Sequence, residues 1–182
     1  MKKEIEDFWD WFIENEEGFL RTLYHSTEDG LKILKESFDQ KILAFGHFTW
    51  EINAYATKKY QLVISPNREF ELLQIAKNII KDAPELEHWS FLFAKQKVKH
   101  VEPFKIYDES LDPHLVNVST WKYKLEGDTV LVFAPTLLNI DLDTEQHALD
   151  LVMTAILGEE VRILTINKIK KVPSYDDTFS SF

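Results

Sequence analysis

The strongest candidate for chemistry in this 182-residue chain is a cluster of potential metal ligands at alternate positions: Asp141, Asp143, Glu145 and His147. Carboxylate oxygens and an imidazole nitrogen suit a hard cation or zinc. A calcium loop starting at Asp141 does not fit, because Gln146 stands where its turn needs Gly and Val152 where it needs a bidentate Glu. We favour the alternative that Asp141 and Asp143 cap a helix, and we expect no metal or other cofactor.

Other catalytic signatures are missing from the sequence. The chain has no cysteine, which excludes disulfides, thiolate metal sites and a Cys nucleophile. Its six histidines form no zincin pattern, and its five glycines form no phosphate loop, dinucleotide fingerprint or Gly-x-Ser-x-Gly elbow. Ser65 stands between a predicted strand and helix, but Pro66 follows it, so we interpret Ser65, or alternatively Asn67, as the cap of that helix. The sequence therefore favours a protein without catalytic residues.

Charge excludes one class of partner and points to another. The chain carries 31 acidic and 21 basic residues, a net charge of −10, and phosphate backbones require clustered Lys and Arg. The charge is uneven: −6 over residues 1–40, +3 over 41–101 and −7 over 102–182. We interpret the alternating lysines of 95–99 as protection of a strand edge. We therefore expect no nucleic-acid partner and favour a basic protein.

The sequence shows no targeting or membrane segment. Acidic residues enter at Glu4 and Glu6, before the apolar core of a signal peptide could form. No window approaches 18 consecutive apolar residues, the length that a membrane-spanning helix needs. We expect a cytoplasmic protein with no membrane partner.

The first 40 residues predict two helices. Apolar residues recur at helical spacing at Ile5, Phe8, Trp9, Phe12 and Ile13. Gly18 predicts that this helix ends or bends there. The run 26–29 (Ser-Thr-Glu-Asp) has a hydroxyl followed three residues later by an acid, as in a capped helix start. Trp11 lies off the apolar stripe among acidic residues. It is either covered by a second element or presented to a partner, since Trp is enriched at binding hot spots.

The rest of the chain predicts a repeated strand–strand–helix–strand order. Thr49-Trp50 is followed by a strand at 62–64, a helix, and a strand from Trp89. Thr120-Trp121 is followed by a strand at 130–133, a helix, and a strand at 161–166. We predict an α+β fold in which two N-terminal helices precede a mixed β-sheet built from a duplicated ββαβ unit, with helices packed on it.

We expect one domain over residues 1–182, with the parts taken in chain order: helices at 1–40, a first unit at 43–98, a connection at 99–114, a second unit at 115–172 and a frayed tail at 173–182.

Short motifs spread over most of the chain resemble a family of uncharacterised bacterial cytosolic proteins with an N-terminal aromatic helix. The matching motifs lie between residue 8 and about residue 160: Phe8-Trp9-x-Trp11-Phe12 with Asn15-Glu16, Leu62-Val63-Ile64-Ser65, Ala83-Pro84 with Trp89 and Phe93, and Leu157-Gly158-Glu159. The family has a basic, Pro-containing segment after the strand, where this chain has Ala94-Lys95-Gln96-Lys97. The resemblance implies a compact α+β unit and no catalytic residue.

The favoured function is a non-catalytic protein-binding module, immunity-like or a scaffold, in the bacterial cytosol. Acidic residues beside an aromatic off the core stripe suit a basic partner, so we predict partner contacts at Trp11, Glu14, Glu16 and Glu17. The alternative is a metal-assisted hydrolase that uses the cluster at 141–147. A third class is a structural subunit of an oligomer, and the sequence leaves the oligomeric state open.

Overall fold

The computed structural model describes residues 1–55 and 58–182. The described residues form five α-helices and nine strands, and the chain divides into two compact units, Met1–Ala94 and Lys95–Phe182. The α+β class and the two N-terminal helices are confirmed. The single domain stays a prediction, and its segment 43–98 includes two residues outside the described ranges.

The first unit opens with two amphipathic helices, α1 (Lys2–His25) and α2 (Glu28–Ile42), followed by a short 3₁₀ turn. Gly18 does not end α1, which continues to His25 and closes on Ser26 in the left-handed conformation. Thr27 caps α2 by accepting the Gly30 N–H at 3.3 Å. The predicted hydroxyl cap of the second helix is therefore confirmed at Thr27, but the residue three positions on is Gly30 and not an acid.

A three-stranded mixed sheet completes the first unit, with β1 (Thr49–Ala54), β2 (Tyr60–Ser65) and β3 (Trp89–Leu92) in that order. β1 is antiparallel to β2, and β3 is parallel to β2 after the helix α3 (Phe70–Lys81). The predicted cap of α3 at Ser65 or Asn67 is wrong, because Glu69 precedes the helix and no side chain caps it.

Aromatic residues dominate the core of the first unit. Phe12 from α1, Phe38 from α2 and Trp89 from β3 are almost fully buried, and their rings meet edge to face. The Trp9 indole nitrogen donates a 2.8 Å hydrogen bond to the Ile79 carbonyl, which ties α1 to α3. Ring packing and this hydrogen bond fix α1 and α3 within the first unit.

The second unit contains a hairpin, a four-stranded sheet and two helices. Its elements in chain order are β4 (Phe104–Tyr107), β5 (Pro113–Val116), β6 (Lys122–Glu126), β7 (Thr129–Phe133), α4 (Leu142–Leu157), α5 (Glu159–Thr165), β8 (Lys168–Lys171) and β9 (Ser180–Ser181). β4 and β5 pair with each other, and the larger sheet has the order β8-β7-β6-β9. β7 is antiparallel to β6 and parallel to β8.

Two sequence predictions for the second unit differ from its structure. The expected strand at 161–166 lies mainly in α5, and the third strand of this half is β8 instead. A short apolar run does not distinguish a strand from a buried helical turn. The expected frayed tail, 173–182, carries β9, and Phe182 packs 5.9 Å from Trp121 between ring centres.

The turn between α4 and α5 is held by backbone contacts with the start of the second unit. The Glu159 N–H donates to the Lys95 carbonyl at 2.9 Å, and the buried Glu159 Oε2 accepts the Lys95 N–H at 3.0 Å. Gly158 has φ 81° and ψ 148°, and a Cβ there would lie 3.2 Å from the Lys97 nitrogen. Glycine is therefore required at this turn by both conformation and space.

None of the helices in the described ranges combines the length and the apolar character needed to cross a membrane.

Candidate functional site

Two members of the acidic cluster at 141–147, Asp141 and Glu145, make structural contacts. Asp141 caps α4, its Oδ1 accepting the Thr144 N–H at 2.8 Å. Hydrogen bonds from Thr144, its side chain first, hold the pKa of Asp141 below the ordinary 3.8. Glu145 forms an ion pair with Lys171 at 2.5 Å, linking α4 to β8. Asp143 and His147 are exposed.

Within residues 1–55 and 58–182, no three side chains of His, Asp or Glu gather into a group that could hold a metal ion. The hydrolase that the sequence left open therefore finds no assembled site in this part of the chain.

Trp11 is half-buried between the two N-terminal helices. Its ring centre lies 5.2 Å from that of Phe19 and 5.3 Å from that of Phe38, and Lys41 Nζ lies 5.4 Å above it. The sequence left open whether Trp11 is covered by a second element or presented to a partner. In the structure α2 covers most of the ring through Phe38 and Lys41. Trp11 holds the helices together whatever else it contacts.

The three predicted acidic contacts differ in position. Glu14 and Glu17 are exposed, whereas Glu16 is half-buried. At about 100° per residue, Trp11, Glu14 and Glu17 fall within about 120° of the helix circumference, and Glu16 falls on another side. The structure thus groups Glu14 and Glu17 with Trp11, and not Glu16.

One candidate binding surface is an open apolar groove in the first unit, which we call the α2–β1 groove. Its volume is about 590 Å³. It is lined from α1, α2, the 3₁₀ turn and β1 by Leu23, Leu31, Leu34, Lys35, Asp39, Leu43, Phe48, Thr49, Trp50 and Ile52. Apolar pockets with a few polar groups are the usual form of binding sites.

Asp39 is the polar anchor of the α2–β1 groove. Its Oδ2 forms an ion pair with Lys35 at 2.5 Å, and its Oδ1 accepts a hydrogen bond from the Trp50 indole at 2.9 Å. These contacts, that of Lys35 first and that of Trp50 second, hold the pKa of Asp39 below the ordinary 3.8. The carboxylate therefore stays ionised at neutral pH and joins the helix to the strand.

One side of the groove is a free strand edge. β1 is the outer strand of its sheet among the described strands. Tyr55 donates its N–H to the Lys59 carbonyl, and the register continues in pairs back to Thr49. Because hydrogen-bonded pairs alternate along an antiparallel ladder, the N–H and C=O groups of Trp50, Ile52 and Ala54 point away from β2. These groups are available to another strand.

The second unit has a smaller exposed apolar surface on the β4–β5 hairpin, where Tyr107, Leu111 and Leu115 are all more than half exposed. Asp108 closes the hairpin turn by accepting the N–H groups of Ser110 and Asp112, each at 2.9 Å. The α2–β1 groove, which has a defined volume and lining, is the stronger candidate.

Sequence reasoning missed the α2–β1 groove. Its lining comes from segments as far apart as Leu23 and Ile52, and no local period joins them. One signal was present in the sequence, because the Thr49–Ala54 strand contains no Lys, Arg or Pro, the residues that usually protect an edge.

No protein-family model matches the chain, and comparisons with curated proteins and with solved structures give no match. The resemblance to an uncharacterised bacterial family therefore stays a prediction. In the structure, Phe8, Trp9 and Phe12 of its aromatic motif belong to the buried core of the first unit.

Proposed function

We propose that the chain is a non-catalytic protein-binding module whose first unit, Met1–Ala94, receives a basic partner. The observation that carries this proposal is the α2–β1 groove. It is an apolar groove with a volume of about 590 Å³, and a free strand edge runs along it. Large exposed apolar patches are rare on monomeric proteins, and where they occur they commonly mark an interaction site.

The charge of the helices beside the groove supports a basic partner. The sequence from Lys2 to Ile42, which spans α1 and α2, holds 11 acidic and 6 basic residues. Opposite charge accelerates encounter and disfavours wrong partners, acting over about 10 Å at 0.1 M salt. The exposed Glu14 and Glu17 belong to this acidic surface. An immunity-like or scaffold role in a bacterial cytosol is part of the same proposal.

The duplicated ββαβ unit is a further part of the proposal. β1 is antiparallel to β2, and β3 is parallel to β2 after one helix. β6 is antiparallel to β7, and β8 is parallel to β7 after α4 and α5. The strands of the two sheets thus follow each other in the same order and with the same relative directions, which supports a repeated unit. The α2–β1 groove lies beside the first copy of that unit.

Affinity capture followed by titration tests the proposed function. The tagged chain is used to capture proteins from a lysate of its source, and each captured protein is purified and titrated by calorimetry. The double variant Glu14→Lys/Glu17→Lys should bind at least about tenfold more weakly. The matched control Glu85→Lys/Glu87→Lys makes the same charge change on exposed loop residues and should bind like the unaltered chain. Capture of nothing, or equal losses in both variants, would contradict the proposal.

A further inference from the structure

The α2–β1 groove and the free edge of β1 share two residues. Trp50 and Ile52 place their side chains in the groove, and their backbone N–H and C=O groups point away from β2. A segment hydrogen-bonded to these groups would be an additional strand, and every second side chain of that strand would enter the groove. The inward row must be apolar, because Leu23, Leu31 and Leu34 form the opposite wall.

The other face of β1 selects a different kind of side chain. Glu51 alternates with Trp50 and Ile52, so its carboxylate lies on the opposite face of the strand. It accepts a 3.0 Å hydrogen bond from Asn53 Nδ2, and none of the ion pairs between described residues involves it. Opposite charges facing each other across strands are favourable, so the outward row of an added strand should be basic.

β1 is unprotected in comparison with the edge strand of the second unit. β8 has four residues, of which Lys168, Lys170 and Lys171 are basic, and lysines on an edge strand block pairing with another chain. β1 has six residues, contains no Lys, Arg or Pro, and carries a single charged residue, Glu51. A second copy of this chain is a poor occupant, because two-fold pairing of β1 with itself would place the two Glu51 carboxylates on one face at opposite or neighbouring positions.

We propose that the partner contributes an extended segment, alternately apolar and basic, that adds to β1 as a fourth strand and fills the α2–β1 groove. This inference rests on the proposed function and adds to it the conformation and side-chain pattern of the partner. Main-chain hydrogen bonds from Trp50, Ile52 and Ala54 supply affinity, and the groove and Glu51 supply selectivity.

Fluorescence anisotropy with synthetic peptides tests the inference. The probe is a labelled peptide of alternating Val and Lys, about eight residues long to match a typical strand, and its comparison replaces Lys by Glu. The Val–Lys peptide should bind and the Val–Glu peptide should bind at least about tenfold more weakly. Glu51→Lys should reduce this preference. Failure of the Val–Lys peptide to bind, or equal binding of both, overturns the inference.

Variants of the groove and of the edge locate the binding. Leu31→Glu puts a charge in the groove, and Ala54→Pro removes an outward N–H. Each should weaken the Val–Lys peptide at least about tenfold. The matched control is Ile33→Glu on the same helix, since Ile33 is 66% exposed and does not line the groove; it should change affinity less than about twofold. Equal effects of Leu31→Glu and Ile33→Glu overturn the inference.

An altered peptide keeps the test valid if a protein variant fails to fold. N-methylation of alternate residues leaves every side chain in place and removes the hydrogen bonds of one peptide edge. Of the two N-methylated isomers, the one that blocks the edge facing β1 should lose binding, and the other should retain it. Equal binding of both isomers overturns strand addition.

The outcomes distinguish this inference from the proposed function. If a captured partner binds Ala54→Pro as well as the unaltered chain, while Glu14→Lys/Glu17→Lys weakens it, strand addition is wrong and the module still binds a basic protein. If the Val–Lys peptide binds as expected and no partner is captured, the proposed function fails. Light scattering that shows a dimer lost in Ala54→Pro identifies a second copy as the occupant and overturns the inference.

Discussion

The indole nitrogen of Trp50 donates a hydrogen bond of 2.9 Å to Oδ1 of Asp39, joining the first strand to the second helix. Lys35 occupies the other carboxylate oxygen of Asp39 from the preceding helical turn. The three side chains set the distance between α2 and β1 on one wall of the α2–β1 groove. A carboxylate therefore links the helix and the strand that line the groove.

Asp39 makes the stability of the first unit depend on pH. The folded-state pKa of Asp39 lies below the ordinary 3.8. The stabilisation that Asp39 provides is therefore fully present when the pH is above 3.8, and it is lost as the pH falls through the folded-state pKa. Asp39→Asn should lower the melting temperature at about pH 7, and the difference should shrink below about pH 4. The control Glu36→Gln, an exposed residue of the same helix, should have little effect. Equal melting temperatures for Asp39→Asn and the unaltered chain at neutral pH would contradict this.

Trp11 is predicted to matter for stability before it matters for binding. Trp11→Ala removes a half-buried ring packed on Phe19 and Phe38 and should cost about 2 kcal/mol, below the 3–5 typical of fully buried aromatics. Ile13, which is 47% exposed on the same helix, gives the control Ile13→Ala with a loss below about 1 kcal/mol. Urea unfolding measures both, and equal losses would mean that α2 does not cover Trp11.

Gly158 is predicted to be the most demanding glycine. Gly158→Ala puts a side chain on a backbone conformation that side chains avoid, and its new Cβ lies 3.2 Å from the Lys97 nitrogen. The substitution should reduce the free energy of unfolding by about 3 kcal/mol. Gly127 is the matched control, because its φ is also positive at 64° but nothing lies near its Cβ. Gly127→Ala should cost about 1 kcal/mol. Chemical denaturation of both variants checks the order, and a larger loss for Gly127→Ala would contradict it.

Asp141 is predicted to act as a cap and not as a ligand. Asp141→Ala should lower the melting temperature, because the Thr144 N–H loses its acceptor. Asp143→Ala should have a smaller effect, since Asp143 acts only through its charge at the helix start.

Thermal-shift measurements with Mg²⁺, Mn²⁺, Ca²⁺ and Zn²⁺ separate capping from metal binding at Asp141. A ligand that binds only the native state raises its melting temperature. We expect no shift with any of the four ions. A rise that Asp141→Ala abolishes would restore the metal-assisted hydrolase.

The sequence predicted helices with a sustained apolar periodicity better than it predicted where they end. Ile5, Phe8, Trp9 and Phe12 are buried as their spacing indicates, whereas Ile13 of the same stripe is 47% exposed. Trp89 begins a strand as expected. α1 continues through Gly18 to His25, because packing on one face of α1 outweighs the cost of about 1 kcal/mol that a helical glycine carries. Local propensity thus gives way to tertiary contacts at such positions.

The candidate site was less predictable than the fold. Leu31 has helical spacing to the buried Leu34 and Phe38, yet it is 37% exposed because it lines the groove. Which apolar residue remains open to solvent depends on how far β1 lies from α2, a distance that the Asp39–Trp50 contact helps to set. No pattern within either segment contains that information.

Amide hydrogen exchange followed by nuclear magnetic resonance tests the central claim most directly. In the free protein, the amides of Trp50, Ile52 and Ala54 should exchange faster than those of Glu51 and Asn53, which are hydrogen-bonded to β2. The Val–Lys peptide should slow exchange at Trp50, Ile52 and Ala54 and leave the other two unchanged. A bound peptide that leaves exchange at Trp50, Ile52 and Ala54 unchanged would contradict strand addition at β1.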